Sequence, residues 1–299
     1  MKVTVEETLA ASDVTTALTT GPYLIYSEVL EGARRPLVFL QCVEEMFDLI
    51  GKAGNTIKFL KASQLSASST TESSMLSSGM SASDKSLSAV SVSVSNVIYS
   101  ATELSDILAE DYPNISWLRV HLRNMGKACM EYLDAHVKDT IIAASGVSTH
   151  SCTNLDYGEV LDAKATLENN EWYADPNNPP FLYVSPDAAA YIMKDTAFVS
   201  TERYTTSEVA NMVQGELGRF AGLRLMKSSL LDGTGYALIV HPPDGPNGPV
   251  VVLAWKRRLT VKNEREEKYG YTYFNTTLRA KAVVVQAAGI CKISISSSP

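Results

Sequence analysis

Serine is abundant in this chain and four histidines accompany it, His121, His136, His150 and His241, the raw materials of a Ser–His nucleophile in which an imidazole takes the hydroxyl proton. No serine stands in a G-x-S-x-G elbow, and the densest serine run, Ser63 to Ser86, has no rigid scaffold to hold a base beside it. His121 and His136 fall on one helical pattern, where their fifteen-residue separation places them roughly 22 Å apart, too far to share a metal ion or a proton. Solvated or packed histidines are the simpler reading. Gly215-x-x-Gly218-x-x-x-Gly222 could be taken for a phosphate cradle, but it lacks a G-K-[ST] ending, and Leu223-Arg224-Leu225-Met226 after it reads as a strand, not as a helix whose N-terminus would hold the phosphate. Turns that need positive φ explain these glycines. Asp175, Asp187 and Asp195 sit at a turn, a helix start and a helix end, where capping accounts for them.

Cys42, Cys129, Cys152 and Cys291 are scattered without a C-x-x-C pair or a neighbouring histidine pair, so neither a zinc site nor a disulfide framework is indicated and buried thiols are expected. The one basic concentration is Lys256-Arg257-Arg258 with Lys262, Arg265 and Lys268. Glu264, Glu266 and Glu267 interleave it, which favours an ion-pair surface, solvated or between subunits, over a nucleic-acid patch. A net charge of -7 argues in the same direction, because gripping nucleic acid over a broad face requires many phosphates to be neutralised. No cofactor is implied.

The elements that would have to position any of these groups are unusual in kind. Thr56 to Lys61 reads as a strand, Ser63 to Ser86 carries almost no large apolar groups, and Leu87 to Val97 returns as a second strand in which Val90, Val92 and Val94 alternate with Ser91, Ser93 and Ser95. A lone two-stranded ribbon is marginal in water, so this excursion between Asn55 and Tyr99 needs a neighbour to lie on, and an assembly is expected. The inter-subunit contact candidates are accordingly Ile57, Phe59, Met75, Met80, Lys85, Val90, Val92 and Val94 on the ribbon, with Arg257, Arg258 and Arg265 on the basic stretch.

Ahead of the ribbon, residues 1–20 read as an extended arm, and the spacing from Tyr26 to Ile50 predicts an amphipathic helix or helix pair broken near Pro36. Behind it the period turns helical from Thr102. A short piece, Leu104 to Glu110, precedes a long one capped by Asn114 and running to about Ala144, with Ile115, Leu118, Leu122, Met125, Cys129, Leu133, Val137 and Ile141 on one stripe. Such a rod is roughly 45 Å long. A polar loop over His150 to Asn154, a helix over Tyr157 to Glu168, a buried strand Phe181 to Val184 and a proline-started helix from Pro186 follow. Strands are then expected around the turn in Glu216 to Ser228 and at Tyr236–Val240, Val250–Trp255, Leu259–Lys262, Tyr271–Phe274, Leu278–Ala287 and Cys291–Ile295. Met1 to Glu7 lacks the basic start and apolar run of a secretory signal, and no apolar stretch approaches the ~18 residues that span a bilayer, so a cytosol-like compartment and no membrane partner are expected.

Taken in order, the arm, ribbon, rod and mixed remainder resemble the major capsid proteins of tailed double-stranded-DNA viruses, the Hong Kong 97 fold. Three pieces carry the likeness besides the ribbon and rod: Phe181-Leu182-Tyr183-Val184-Ser185-Pro186-Asp187 through Phe198, Gly215 through Ser228, and Lys256 to Ile295 with Lys268-Tyr269-Gly270-Tyr271 at its turn. The resemblance implies an α+β fold with an N-terminal arm and helix over 1–54, an extended ribbon (E-loop) over 55–100, and a spine helix of a peripheral domain within 101–150. A mainly axial domain over 151–250 and closing strands over 251–299 complete it. It implies a structural subunit, not an enzyme, whose copies form hexamers, pentamers and an icosahedral shell around genomic DNA held without sequence preference. A separate scaffolding protein, portal and decoration proteins would be its other partners, and the virion, assembled in host cytoplasm, its location. Some members cross-link an E-loop lysine to a neighbour's asparagine; Lys58, Lys61 and Lys85 lie on the ribbon and Asn275 in the body, though exposed lysines ordinarily only solvate an arm. An encapsulin-type compartment shell and a soluble Ser/His hydrolase are the alternatives.

Overall fold

A computed structural model describes residues 22–33, 37–62, 87–107, 115–175, 177–194, 216–244 and 248–296. The long rod is helix α2, Ile115–Ala143, and its 29 residues make it about 43 Å long. Leu118, Leu122, Met125, Cys129, Leu133, Val137 and Ile141 are all buried, as their spacing of three and four requires. This stripe lies on a four-stranded sheet ordered β1 (Val43–Met46), β10 (Val251–Glu266), β11 (Tyr271–Val284) and β4 (Ile98–Ser105). Along β11, Thr272, Phe274, Thr276, Leu278, Ala280 and Ala282 are buried, and the alternate residues face outward.

Helix α1, Pro22–Ala33, crosses the rod where both helices carry glycine. A Cβ on Gly126 would lie 2.0 Å from the Val29 carbonyl oxygen, and one on Gly32 would lie 2.0 Å from that of Arg123. The two backbones therefore touch, and Arg123 secures the crossing with bonds to Glu28 at 2.6 Å and Glu31 at 2.9 Å. After α1 the chain makes a short 3-10 turn, Phe39–Cys42, whose amides at Phe39 and Leu40 donate to the Asp134 carboxylate of the rod at 2.9 and 3.0 Å. Burial pushes the Asp134 carboxyl up against the opposing pull of those amide donors.

A six-stranded sheet, ordered β5 (Ser148–Cys152), β12 (Ile290–Ile295), β9 (Tyr236–Val240), β6 (Phe181–Val184), β8 (Leu223–Lys227) and β7 (Glu216–Phe220), forms the other half of the body. Every residue of β6 is buried, as its unbroken apolar run demands. Helix α3, Tyr157–Asn169, starts on an Asp156 side chain that accepts from the Glu159 amide, and α4, Pro186–Lys194, starts on Ser185, whose hydroxyl accepts from Ala188. The Phe39 ring stacks on Tyr183 at 4.5 Å, so one continuous core runs from the rod into the six-stranded sheet. Among the described residues β2 (Thr56–Ala62) and β3 (Leu87–Ser93) pair only with each other, as the ribbon.

Four expectations are corrected. Thr102 to Ser105 is strand, not helix, because Ile98, Ser100, Thr102 and Leu104 face the rod with period two while Leu104 pairs opposite Thr272; the polar inward residues hid the alternation, Asp106 and Ile107 are helical, and 108–110 lie outside the described residues. The second half of Tyr26–Ile50 becomes the 3-10 turn and β1, a strand parallel to β10 that only a distant partner could stabilise. His150 lies in edge strand β5, not a loop. The four pieces expected between Val250 and Ala287 are two long strands, and the break read at Lys256–Arg258 is a pair of register shifts within β10. The arm over 1–20, the Asn114 cap, Gly215 and Asp195 lie outside the described residues.

Two outcomes test this packing. Gly126→Val should destabilise the protein by roughly 2 kcal/mol or more in chemical denaturation, because the backbone contact cannot relax around a branched side chain, whereas Gly158→Ala should be nearly neutral. His241 is buried beneath Trp172, with ring centroids 5.1 Å apart, and burial depresses it from 6.5 to about 4. With the folded value below the unfolded one, its contribution is complete above pH 6.5 and is lost as pH falls toward about 4, up to roughly 3 kcal/mol. His241→Gln should flatten that part of the pH–stability curve.

Candidate assembly surface

The ribbon has one apolar face, set by its register. Ile57 stands opposite Val92 and Phe59 opposite Val90, while Lys58 opposes Ser91 and Thr56 opposes Ser93 on the other face. Ile57, Phe59 and Val90 are half-buried. Val92 and Val94 are 2% and 0% exposed, packed with Leu49 and Ala254 of their own chain, and Ile57, Phe59 and Val283 border the cluster. These two valines are therefore spent on the subunit's own sheet and have no surface left for a neighbour, which corrects their selection as inter-subunit contacts. The reason is the sheet's outer face: at the end nearest β1 it presents Ala254 and Val283, which would otherwise meet water. Met75, Met80 and Lys85 lie outside the described residues.

Of the basic candidates, Arg257 and Arg258 are exposed on β10. Arg258 lies over the Phe47 ring at 4.6 Å, a cation–π contact beside the ribbon's origin. Arg265 forms a two-pronged bond to Asp106 at 3.1 and 2.9 Å, tying β10 to the end of β4 across β11. Half-exposed as it is, this pair contributes little to stability and leaves the guanidinium open to water on one side.

Several surface residues escaped the sequence reading. Val97, Tyr99 and Tyr132 are 47%, 69% and 62% exposed and line a cleft of about 500 Å³ between the rod and the start of β4, with His136 and Lys281 on its wall. Burial, then the Lys281 charge, lowers His136. At the far end of the β10–β11 hairpin Tyr269 is 64% exposed, stacked on Tyr271 with Lys268 over its ring. Tyr132 could have been found as an aromatic lying off the rod's apolar stripe; the others needed the hairpin's register.

The groups first weighed for catalysis are dispersed. His150 pairs with Glu159 at 2.6 Å on the outer strand of the six-stranded sheet, His121 sits edge-on to Trp117, and His241 is enclosed by the core. All four cysteines are buried and free, and burial pushes Cys42 up to about 12 and Cys129 and Cys291 up to about 11, so they remain thiols. Ala221 and Gly222, both at positive φ, form a two-residue hairpin turn between β7 and β8, with strand rather than helix after it. Among the described residues no group of three His, Cys, Asp or Glu side chains is placed to hold a metal ion.

No family model and no curated protein sequence matches this chain. Solved structures do. The capsid of cyanophage P-SCSP1u is similar with a TM-score of 0.67 at 12% identity, covering 100% of this chain and 93% of that one. The capsid of Ralstonia phage GP4 is similar with a TM-score of 0.67 at 9% identity, covering 86% and 88%. A virus-like particle from Pyrococcus furiosus is similar with a TM-score of 0.57 at 11% identity, covering 90% and 96%. Side chains are almost entirely different at such identities, so what is shared is the course of the backbone. The ribbon, the rod on its four-stranded sheet and the six-stranded sheet beside it are the Hong Kong 97 capsid fold.

Proposed function

We propose that this chain is the major capsid protein of a tailed double-stranded-DNA virus, a structural subunit whose copies close into the icosahedral shell of the virion. The observation that carries the reading is that phage capsid structures are matched over nearly the whole of both chains. The ribbon supports it physically. Ile57, Phe59 and Val90 keep partly open apolar surface on a ribbon that, among the described residues, pairs with no other strand, and at about 25 cal/mol per Å² a neighbour covering that face would contribute several kcal/mol before ordering costs. Repeated around a closed ring, such heterologous contacts generate hexamers and pentamers.

In this reading the four-stranded sheet with α1 and α2 is the peripheral domain, the six-stranded sheet with α3 and α4 the axial domain, and the ribbon the E-loop. Arg257, Arg258 and Arg265 would meet carboxylates of an adjacent copy, and DNA would be held without sequence preference by an acidic subunit that must later release it. A scaffolding protein, a portal and decoration proteins would complete the assembly in the host cytoplasm. The virus-like particle from Pyrococcus furiosus keeps a second reading in view, an encapsulin-type shell around a protein cargo.

Electron microscopy of the overproduced protein should show round shells; a soluble monomer or small oligomer at high concentration would overturn the reading. Shells purified from infected cells should contain double-stranded DNA, and a protein cargo without DNA would favour the compartment. Val90→Asp should leave the circular dichroism of the subunit unchanged and lower the yield of closed shells at least tenfold by sedimentation.

A further inference from the structure

Where the ribbon meets the body, both of its strands are gripped at the root. The Val94 amide donates to the Asn55 carbonyl at 2.8 Å, one step beyond the last ladder pair, Thr56 and Ser93. Arg279 on β11 donates from Nη2 to the Val94 carbonyl at 2.9 Å. Lys256 on β10 donates to the Leu49 carbonyl at 3.2 Å and also to that of Lys52, on the segment leading into β2. Beneath these bonds Val92 and Val94 fill the recess against Leu49 and Ala254. The incoming and outgoing chains are thus each held by one cation of the β10–β11 hairpin, and both cations are spent on peptide carbonyls, not on carboxylates.

That choice of acceptor has a consequence. A carbonyl does not titrate, so this grip does not depend on the ionisation of its acceptor as an ion pair would, and bonds with a charged donor are stronger than neutral ones. A lysine or arginine that merely solvated the sheet would reach outward; these two reach across to the ribbon's base. We propose that Lys256 and Arg279 are positioning residues that, together with the Val92–Val94 plug, set the angle at which the ribbon leaves the four-stranded sheet in the single subunit, before a second copy is met. The consequence for assembly rests on the shell reading: a fixed angle determines where the ribbon lands on the next copy, and hence the curvature of the shell.

Hydrogen–deuterium exchange of the unassembled full-length subunit decides it. Arg279→Gln should speed exchange of the root amides, Val94 above all, at least tenfold, with strands β9 and β12 and the melting temperature little changed, and Arg279→Lys should restore most of the protection. Root amides that exchange as in the wild type in Arg279→Gln would overturn the proposal. Should Arg279→Gln fail to fold, Lys256→Gln, on the more exposed rim, takes its place, with faster exchange over residues 49–56 expected and unchanged exchange overturning. Micrographs supply the second arm: Arg279→Gln should give open sheets or particles of mixed size where the wild type gives uniform shells. Wild-type protein that forms no shells would count against the shell reading alone, because the exchange result stands without it.

Discussion

A sheet has two faces, and everything in this molecule follows from how the four-stranded sheet covers its own. The inner face, with Thr272, Phe274, Thr276, Leu278 and Ala280 along β11, is closed by the apolar stripe of the rod. That single contact aligns the long axis of α2 with the plane of the sheet and makes the subunit's frame stiff, since interdigitated side chains in a close-packed interior resist sliding. Helix α1 and the 3-10 turn are then hung on the rod, one by the close backbone approach at Gly126 and Gly32, which face the Val29 and Arg123 carbonyls, and the other by the Asp134 carboxylate. The Phe39–Tyr183 stack carries the packing onward into the six-stranded sheet.

The outer face is divided. Toward β1 it is apolar, and the root of the ribbon covers it with Val92 and Val94; toward the hairpin turn it carries Tyr271, Tyr273 and Asn275, which are half-buried. This division reconciles an apparent conflict in the ribbon, which is too thin to be stable alone yet begins as ordered, buried chain. Its base borrows the sheet's hydrophobic surface, while Ile57, Phe59 and Val90 stay only partly covered by their own subunit. A projecting element rooted this way can be ordered enough to present a binding face while still needing a partner to bury it, which is the physical requirement for subunits that are soluble singly and cohesive together.

Much of the fold was legible because its largest elements are amphipathic over many residues. The stripe from Leu118 to Ile141 can be read without any partner in view, as can the buried run Phe181–Val184, the proline start of α4 and the alternating valines of β3. The misreadings share one cause. β4, β1 and β5 have weak or polar local patterns and exist only because β11, β10 and β12, far away in sequence, offer them ladder hydrogen bonds. Leu104 illustrates the point: its neighbours suggest a helix, but Thr272 opposite decides for a strand.

The candidate surface was legible to the same degree and for the same reason. Residue type and alternation alone determined that the ribbon has an apolar face containing Ile57, Phe59 and the valines, that the rod is long, and that no cluster of catalytic side chains is close in sequence. Only the tertiary structure decided which of those apolar groups remain available, because availability depends on what lies across from them: Ala254 and Leu49 claim Val92 and Val94, while Val90 keeps part of its surface. It also decided that Lys256 and Arg279, indistinguishable in the sequence from other surface cations, hold the ribbon's root, since a hydrogen bond between residues some two hundred positions apart is a property of the folded chain and not of either segment.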